Sequence, residues 1–235
     1  MKNKVTALIL AGGLGTRLRP LTFSIPKPMV ALNGKPILIR LIEHLKSFDI
    51  VDLFLSTGYM SNIIEAYVDS GEALGVNAKY LKEENPLGTA GPLSLLNPDN
   101  VKDYILLMNG DIYTNINVDD LINFHIQNKS DITIVTKNHE IESRYGSIKI
   151  KNNTVVSIEE KPTYKSIISC GIYILNKDIL KILKKSEFIT MPEVITQCIS
   201  KNNKVSYYMF DGLWMPIEDA NDLNEVNSLL SEDPL

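Results

Sequence analysis

The chain has 235 residues, 44% hydrophobic and 22% charged, with 24 Lys and Arg against 28 Asp and Glu for a formal net charge of −4. These numbers exclude a disordered tail protein and a collagen-like fibre, and no apolar run approaches the ~18 residues of a helical membrane span. A net acidic chain is not a duplex-binding protein, whose affinity rests on a basic footprint, so any phosphate chemistry must rest on a few placed cations.

Val5–Leu10 is a continuous apolar run, the pattern of a strand buried on both faces. Pro36 then opens a helical stripe of Ile37, Leu38, Leu41, Ile42, Leu45 and Phe48. The same reading predicts strands at 51–56, 76–81 and 104–108, and helices at Ser61–Val68, 89–96 and Val118–Gln127. In the second half it predicts strands at 132–136, 145–150, 154–158 and 167–175, with an Asn152-Asn153 hairpin turn. Helices follow at 177–183, Met191–Ser200 and 220–230. Strands alternating with helices give an α/β fold with a mostly parallel mixed sheet flanked by helices. The second half adds a small antiparallel lobe. No linker or repeat divides residues 1–235, which read as one domain.

Cys170 and Cys198 sit in apolar stretches and lack a second ligand at metal spacing, so both read as small core residues. His44, His125 and His139 are scattered and read as surface or helix-face residues. Met1 to Lys4 followed by apolar residues has the outline of a leader, but the apolar stretch is too short and runs into a Gly-rich loop. The expectation is therefore a cytoplasmic protein with no membrane contact.

Ligands of such sheets bind at the carboxyl ends of strands, which directs attention to the loops after Leu10, Leu81, Met108, Ile158 and Leu175. The first reads Gly12-Gly13-Leu14-Gly15-Thr16-Arg17. A dinucleotide fingerprint would need Gly at Leu18 and an acid about 20 positions on, where Asn33-Gly34-Lys35 stands. A P-loop would need Gly-Lys-Ser/Thr, and here Gly15 precedes Thr16-Arg17. What remains is a glycine turn able to press its N–H groups on phosphate, one cation at Arg17, and a second, Lys27, between Pro26 and Pro28. Either piece alone is an ordinary solvated loop; the pair after a buried first strand reads as an anion site.

Gly12 to Thr22 together with Pro26-Lys27-Pro28-Met29 resembles the sugar-1-phosphate nucleotidyltransferases, and further matches keep that family's order. They are Pro86-Leu87-Gly88-Thr89-Ala90-Gly91, Gly110-Asp111, Tyr145-Gly146, Glu160-Lys161-Pro162 and Gly171-Ile172-Tyr173. Within the family the likeness is nearest to the catalytic domain of mannose-1-phosphate guanylyltransferases and stops short of their C-terminal β-helix. It implies a nucleotide-diphospho-sugar transferase fold with a nucleotide-binding half, 1–130, and a sugar-phosphate half, 131–235. The implied reaction is nucleotidyl transfer from a nucleoside triphosphate, GTP first, to a hexose or heptose 1-phosphate.

The resemblance also assigns roles. Arg17, Lys27 and Asp111 are the catalytic candidates. Leu10, Ala11, Gly12, Gly13, Gly15, Thr16, Glu84, Pro86, Gly88, Thr89, Asn109 and Gly110 would join Arg17 in holding the nucleotide. Gly146, Glu160, Lys161, Cys170 and Gly171 would hold the sugar phosphate. Asp111, after a buried strand, is expected to bind Mg²⁺. The family's second metal-binding Asp aligns with Pro216, which has no side-chain ligand, and Glu218 is the expected substitute, as in a related cytidylyltransferase arrangement. The alternative for Glu218 and Asp219 is that they only start the last helix, where acids suit the dipole. Ser169-Cys170-Gly171 replaces a sugar-contacting Asn-Ala-Gly. These departures leave room for a CTP- or UTP-dependent enzyme on another phosphorylated acceptor, or for a silent nucleotide-sugar sensor; a homo-oligomer is allowed.

Overall fold

The computed structural model describes residues 4–232; Met1 to Asn3, the charged start of the leader-like segment, lie outside the described residues. In chain order the first half comprises β1 (Val5–Leu10), β2 (Ala31–Leu32), β3 (Lys35–Pro36), α1 (Ile37–Ser47), β4 (Asp52–Thr57), α2 (Ser61–Val68), β5 (Asn77–Lys82), β6 (Tyr104–Asn109), β7 (Ile112–Thr114) and α3 (Val118–Gln127). The second half comprises β8 (Ile132–Glu142), β9 (Ser147–Lys151), β10 (Thr154–Glu159), β11 (Thr163–Asn176), α4 (Met191–Ser200), β12 (Val205–Met209), β13 (Trp214–Pro216) and α5 (Ala220–Glu232).

Seven strands form the central sheet in the order β12-β8-β11-β6-β1-β4-β5. β11 runs antiparallel to both β6 and β8, and the other pairings are parallel. Alternation along β1 divides the core. Val5, Ala7 and Ile9 pack with Leu38, Leu41, Ile42 and Leu45 of α1, whereas Leu8 packs on the other face with Val194 and Cys198 of α4. No helix among the described residues is long and apolar enough to cross a membrane.

The predicted helix at 89–96 is instead a 3-10 turn, Gly91–Leu95. Pro92 cannot donate a helical hydrogen bond, and the amides of Ala90 and Gly91 are both taken by the Ile189 carbonyl, at 3.0 and 3.1 Å. The segment expected to be helical at 177–183 is likewise 3-10, Lys177–Ile182. β8 and β11 run well beyond their predicted ends, because their extensions pair with each other from Thr163↔Glu142 to Ser169↔Thr136. β7, β12 and β13 have no counterpart in the sequence reading. The antiparallel sense of β11 also corrects one expected site loop: Leu175 lies opposite Ile105, so the loop after it leaves the far end of the sheet from the site.

His125 lies on a helix, α3, but on its buried face. Its Nδ1 accepts from the Thr133 hydroxyl at 2.8 Å and its Nε2–H donates to Asn176 Oδ1 at 3.1 Å, with the Asn176 amide held in turn by Asp131. His44, on α1, donates through Nε2 to the Ile116 carbonyl at 2.9 Å. Burial holds both imidazoles below their usual value.

Candidate active site

β1 and β6 are adjacent and parallel, so their carboxyl ends, Leu10 and Asn109, emerge side by side. A cavity of about 540 Å³ opens there. The sequence-predicted residues that line it are Leu10, Gly12, Gly13, Lys27, Glu84, Pro86, Gly88, Thr89, Asn109 and Asp111. A cleft of similar size, about 550 Å³, lies beside Phe188 and α4, but it gathers none of the predicted site residues.

The glycine loop is shaped by local packing. Gly15 has φ +59°, and a Cβ on it would lie 2.9 Å from both Lys27 Cβ and Thr22 Cγ2. The buried Thr22 hydroxyl donates to the Gly15 carbonyl at 2.8 Å, and Tyr59 Oη donates to the Thr22 carbonyl at 3.2 Å. This explains why the loop and the proline-flanked lysine occur together: the glycine lets the lysine stem lie against the turn. Lys27 is only 9% exposed, and its ammonium pairs with Asp111 Oδ2.

Arg17 is exposed and pairs with Glu218 Oε2. Their approach is set by the C-terminal segment. β13 pairs antiparallel with β7, the Ile217 amide donates to the Asp111 carbonyl at 2.9 Å, and Ile217 is fully buried. That side chain packs with Leu18 and Val30 and with Val226 of α5. Glu218 therefore leaves the core beside both Asp111 and the glycine loop. Asp219 is committed otherwise: its Oδ1 accepts from the amides of Asn221 and Asp222, at 2.7 and 3.2 Å, at the start of α5. Asp219 thus starts the helix, while Glu218 faces the Arg17 guanidinium.

Glu83 is the residue that sequence reasoning missed. It ends the β5 side of the cavity, with Oε1 accepting from Ser56 Oγ at 2.7 Å and Oε2 from the Leu87 amide at 2.9 Å. A Cβ on Gly12 would lie 2.9 Å from Glu83 Oε1, so the carboxylate bridges the glycine loop and the 83–90 loop. Its signal was present as the acid just past an alternating strand. Gly58, Tyr59, Leu14 and Pro28 also line the cavity, although no site role was expected of them.

Other expected residues stand elsewhere. Ala11 is buried, donating its amide to the Ser56 carbonyl at 2.8 Å. Gly110 donates to the Leu10 carbonyl at 2.8 Å and supports the strand ends from behind. Cys170 is 1% exposed with its thiol pushed up to about 11 by burial, and its carbonyl accepts from Trp214 Nε1 at 2.8 Å, so its side chain faces the core and not the cavity. Gly171, at φ +68°, lets the Asn109 amide approach; a Cβ there would lie 2.5 Å from Asn109 Nδ2. Gly146, Glu160 and Lys161 cluster together at the foot of the β9–β10 ribbon, exposed and outside the cavity lining, with Glu160 Oε2 3.0 Å from a Cβ on Gly146. Thr16 is also exposed and outside it.

Residues 6–233 match the family model for nucleotidyl transferases. The chain belongs to that family. It is 35% identical over 224 residues to a mannose-1-phosphate guanyltransferase of Yarrowia lipolytica, covering 92% of this chain and 61% of the relative. It is 33% identical to the catalytic subunit beta of a mannose-1-phosphate guanylyltransferase of Danio rerio, covering 92% and 62%. The chain thus spans about three fifths of the length of these relatives. Among solved structures, HddC from Yersinia pseudotuberculosis superposes with a TM-score of 0.75 at 28% identity, covering 96% of this chain and 99% of that one. A complex of HddC with GMP-PN gives 0.73. The family and its sheet architecture agree with the resemblance drawn from the motifs.

Proposed function

We propose that this nucleotidyltransferase chain transfers a nucleoside monophosphate, guanosine first, from the triphosphate to a sugar 1-phosphate, forming a nucleotide sugar. The observation that carries the reading is the meeting of Gly12–Gly13, Lys27 and Asp111 around one cavity at the ends of β1 and β6. A phosphate oxygen of the sugar attacks the α-phosphorus in line; that P–O bond forms as the bond to the β-phosphate oxygen breaks, and pyrophosphate leaves. Two polyanions must be aligned, so positioning and charge neutralisation are most of the catalytic task. The glycine-loop amides and Arg17 receive the triphosphate, and Lys27 steadies the phosphates at the reacting centre.

Guanine is favoured by Glu83. A carboxylate only accepts hydrogen bonds, and each of its oxygens retains a lone pair beyond those met by Ser56 and Leu87. The Watson–Crick edge of guanine offers N1–H and N2–H donors to such a group. Gly88, in the same lining, lets the backbone approach the base. On the acceptor side, Glu160 and Lys161 meet the sugar hydroxyls and phosphate, and the Asn109 amide beside Gly171 stands in for the asparagine missing at 169–171.

Asp111 and Glu218 fit Mg²⁺, which takes oxygen ligands and one or two carboxylates alongside phosphates. The β7–β13 pairing and the Ile217–Asp111 hydrogen bond support this reading, and the ion would share the two carboxylates with the cations now paired to them, Lys27 and Arg17. When bound, the ion supplies positive charge to the triphosphate oxygens. Pyrophosphate release, assayed across a matrix of nucleoside triphosphates and sugar 1-phosphates, tests the reading. Release confined to the GTP row is expected. Release confined to CTP or UTP would replace the base assignment, and release from no pair would replace catalysis with nucleotide-sugar sensing.

A further inference from the structure

The turn after β4 grips the glycine loop at both ends. At the front, Gly58 and Gly12 pack backbone to backbone: a Cβ on Gly12 would lie 3.3 Å from the Gly58 nitrogen, and one on Gly58 3.4 Å from the Gly12 oxygen. At the back, Tyr59 Oη donates to the Thr22 carbonyl at 3.2 Å, and the Thr22 hydroxyl donates to the Gly15 carbonyl at 2.8 Å. The Leu18 amide donates to that same Gly15 oxygen at 3.0 Å, so both of its lone pairs are met. Thr22 is 1% exposed, which keeps water from replacing either bond. Just past Tyr59 the chain turns at Met60, which is left-handed at φ +52° and ψ +36°, a conformation that side chains other than Gly, Asn and Asp rarely adopt.

We infer that Tyr59 is a positioning residue for triphosphate binding, acting through Thr22 on the glycine loop. Its role rests on the reading that this loop receives the phosphates. Carbonyl oxygens carry partial negative charge, so a loop that binds phosphate turns its oxygens away from the ligand and its N–H groups toward it. A trans peptide sets its C=O and N–H on opposite edges. Thr22 therefore fixes more than one oxygen: with the Gly15 carbonyl held against it, the Thr16 N–H points the other way. Gly15, at φ +59° and without a Cβ, would sample other orientations once released. The Tyr59 bond keeps Thr22 itself in place, and the residue that supplies it lines the cavity. Donors held ready in this way bind an anion more tightly than donors that are ordered only on binding.

Isothermal titration calorimetry of the full chain with inorganic tripolyphosphate, in Mg²⁺ buffer, reads the loop whatever base the site prefers. Tyr59→Phe keeps the ring and loses the hydroxyl; it should weaken tripolyphosphate by roughly 3–10-fold, the net worth of one hydrogen bond. Thr22→Val should weaken it at least as much, and Thr22→Ser, which keeps the hydroxyl, should restore wild-type affinity. Adding Tyr59→Phe to Thr22→Val should change nothing further, because the link to Gly15 is already cut. KM for the sugar 1-phosphate should stay at its wild-type value in Tyr59→Phe, which a general loosening of the site would not allow. A wild-type chain that binds no tripolyphosphate would remove the phosphate reading of the loop, and the role of Tyr59 with it. Wild-type binding with unchanged affinity in Tyr59→Phe would overturn the role of Tyr59 alone. So would an additive double variant, or a sugar 1-phosphate KM that rises in step with the loss of tripolyphosphate affinity.

Discussion

Lys27 and Asp111 form an ion pair that joins the proline-flanked loop to the turn after β6, at the wall of the cavity. With Lys27 nearly buried, the carboxylate is both a site group and the lysine's partner. Sequence alone marks Asp111 only as a functional residue. The pair changes that expectation: Asp111→Asn should lower turnover by roughly 10²–10³-fold and also cost about 1–3 kcal/mol by leaving a poorly solvated ammonium unpaired. Pyrophosphate release and urea unfolding on one preparation measure both; an unchanged rate would remove Asp111 from the chemistry.

Glu218 meets Arg17 on a mostly exposed surface, so its loss should hardly touch stability, within about 1 kcal/mol. Glu218→Ala should instead raise the Mg²⁺ concentration needed for half-maximal rate. A metal titration that overlays the wild-type curve would leave Asp111 as the metal's sole carboxylate among these two.

Glu83→Gln tests base choice. A glutamine exchanges one acceptor for a donor, so guanine loses a partner while uracil gains one. The ratio of kcat/KM for GTP over UTP should fall, by roughly 10-fold or more. Glu83→Ala should be the less stable variant, by about 1–3 kcal/mol, because the Ser56 hydroxyl and Leu87 amide are left without their acceptor. An unaltered nucleotide preference in the glutamine variant would place base discrimination on the backbone alone.

His125 gives a pH dependence with a definite sign. Burial, the largest influence on it, lowers its folded-state value, so the folded chain resists taking the proton that an unfolded imidazole accepts near pH 6.5. The unfolded state therefore binds more protons as pH falls, and stability should decline from pH 7 toward pH 5. His44, lowered for the same reason, adds to the slope. His125→Gln should flatten the decline whatever it does to stability at pH 7; urea midpoints collected at half-unit pH steps would reveal an unchanged slope.

Much of the architecture was legible in single stretches of sequence. Val5–Leu10 and the stripe beginning at Ile37 carry periodicity strong enough to name their elements, and Gly12 to Lys27 carries the site's motif. Elements set by distant pairing were not legible. β7 and β13 are three residues each and exist because they pair with each other, and β12 is ordered by β8. The same division holds in the site. Gly88 and Asp111 announce themselves locally, whereas Glu83 gains its place from Ser56 and Leu87, and the foot of the ribbon stays apart from the cavity although its motif reads as part of the site.

The pairing of β13 with β7 also has a consequence in time. Arg17 and Glu218 are 201 positions apart, and Glu218 is set in place by Ile217, which packs under the glycine loop's own neighbours. A ribosome adding ~5–20 residues each second would release the phosphate loop ten seconds or more before its carboxylate partner. Throughout that interval the nascent chain can form β1 and α1 but holds neither the Arg17 counter-charge nor the strand that closes against Asp111. Competence waits on residues 214–218, whose arrival sets β13 against β7 and seats Glu218 beside Arg17.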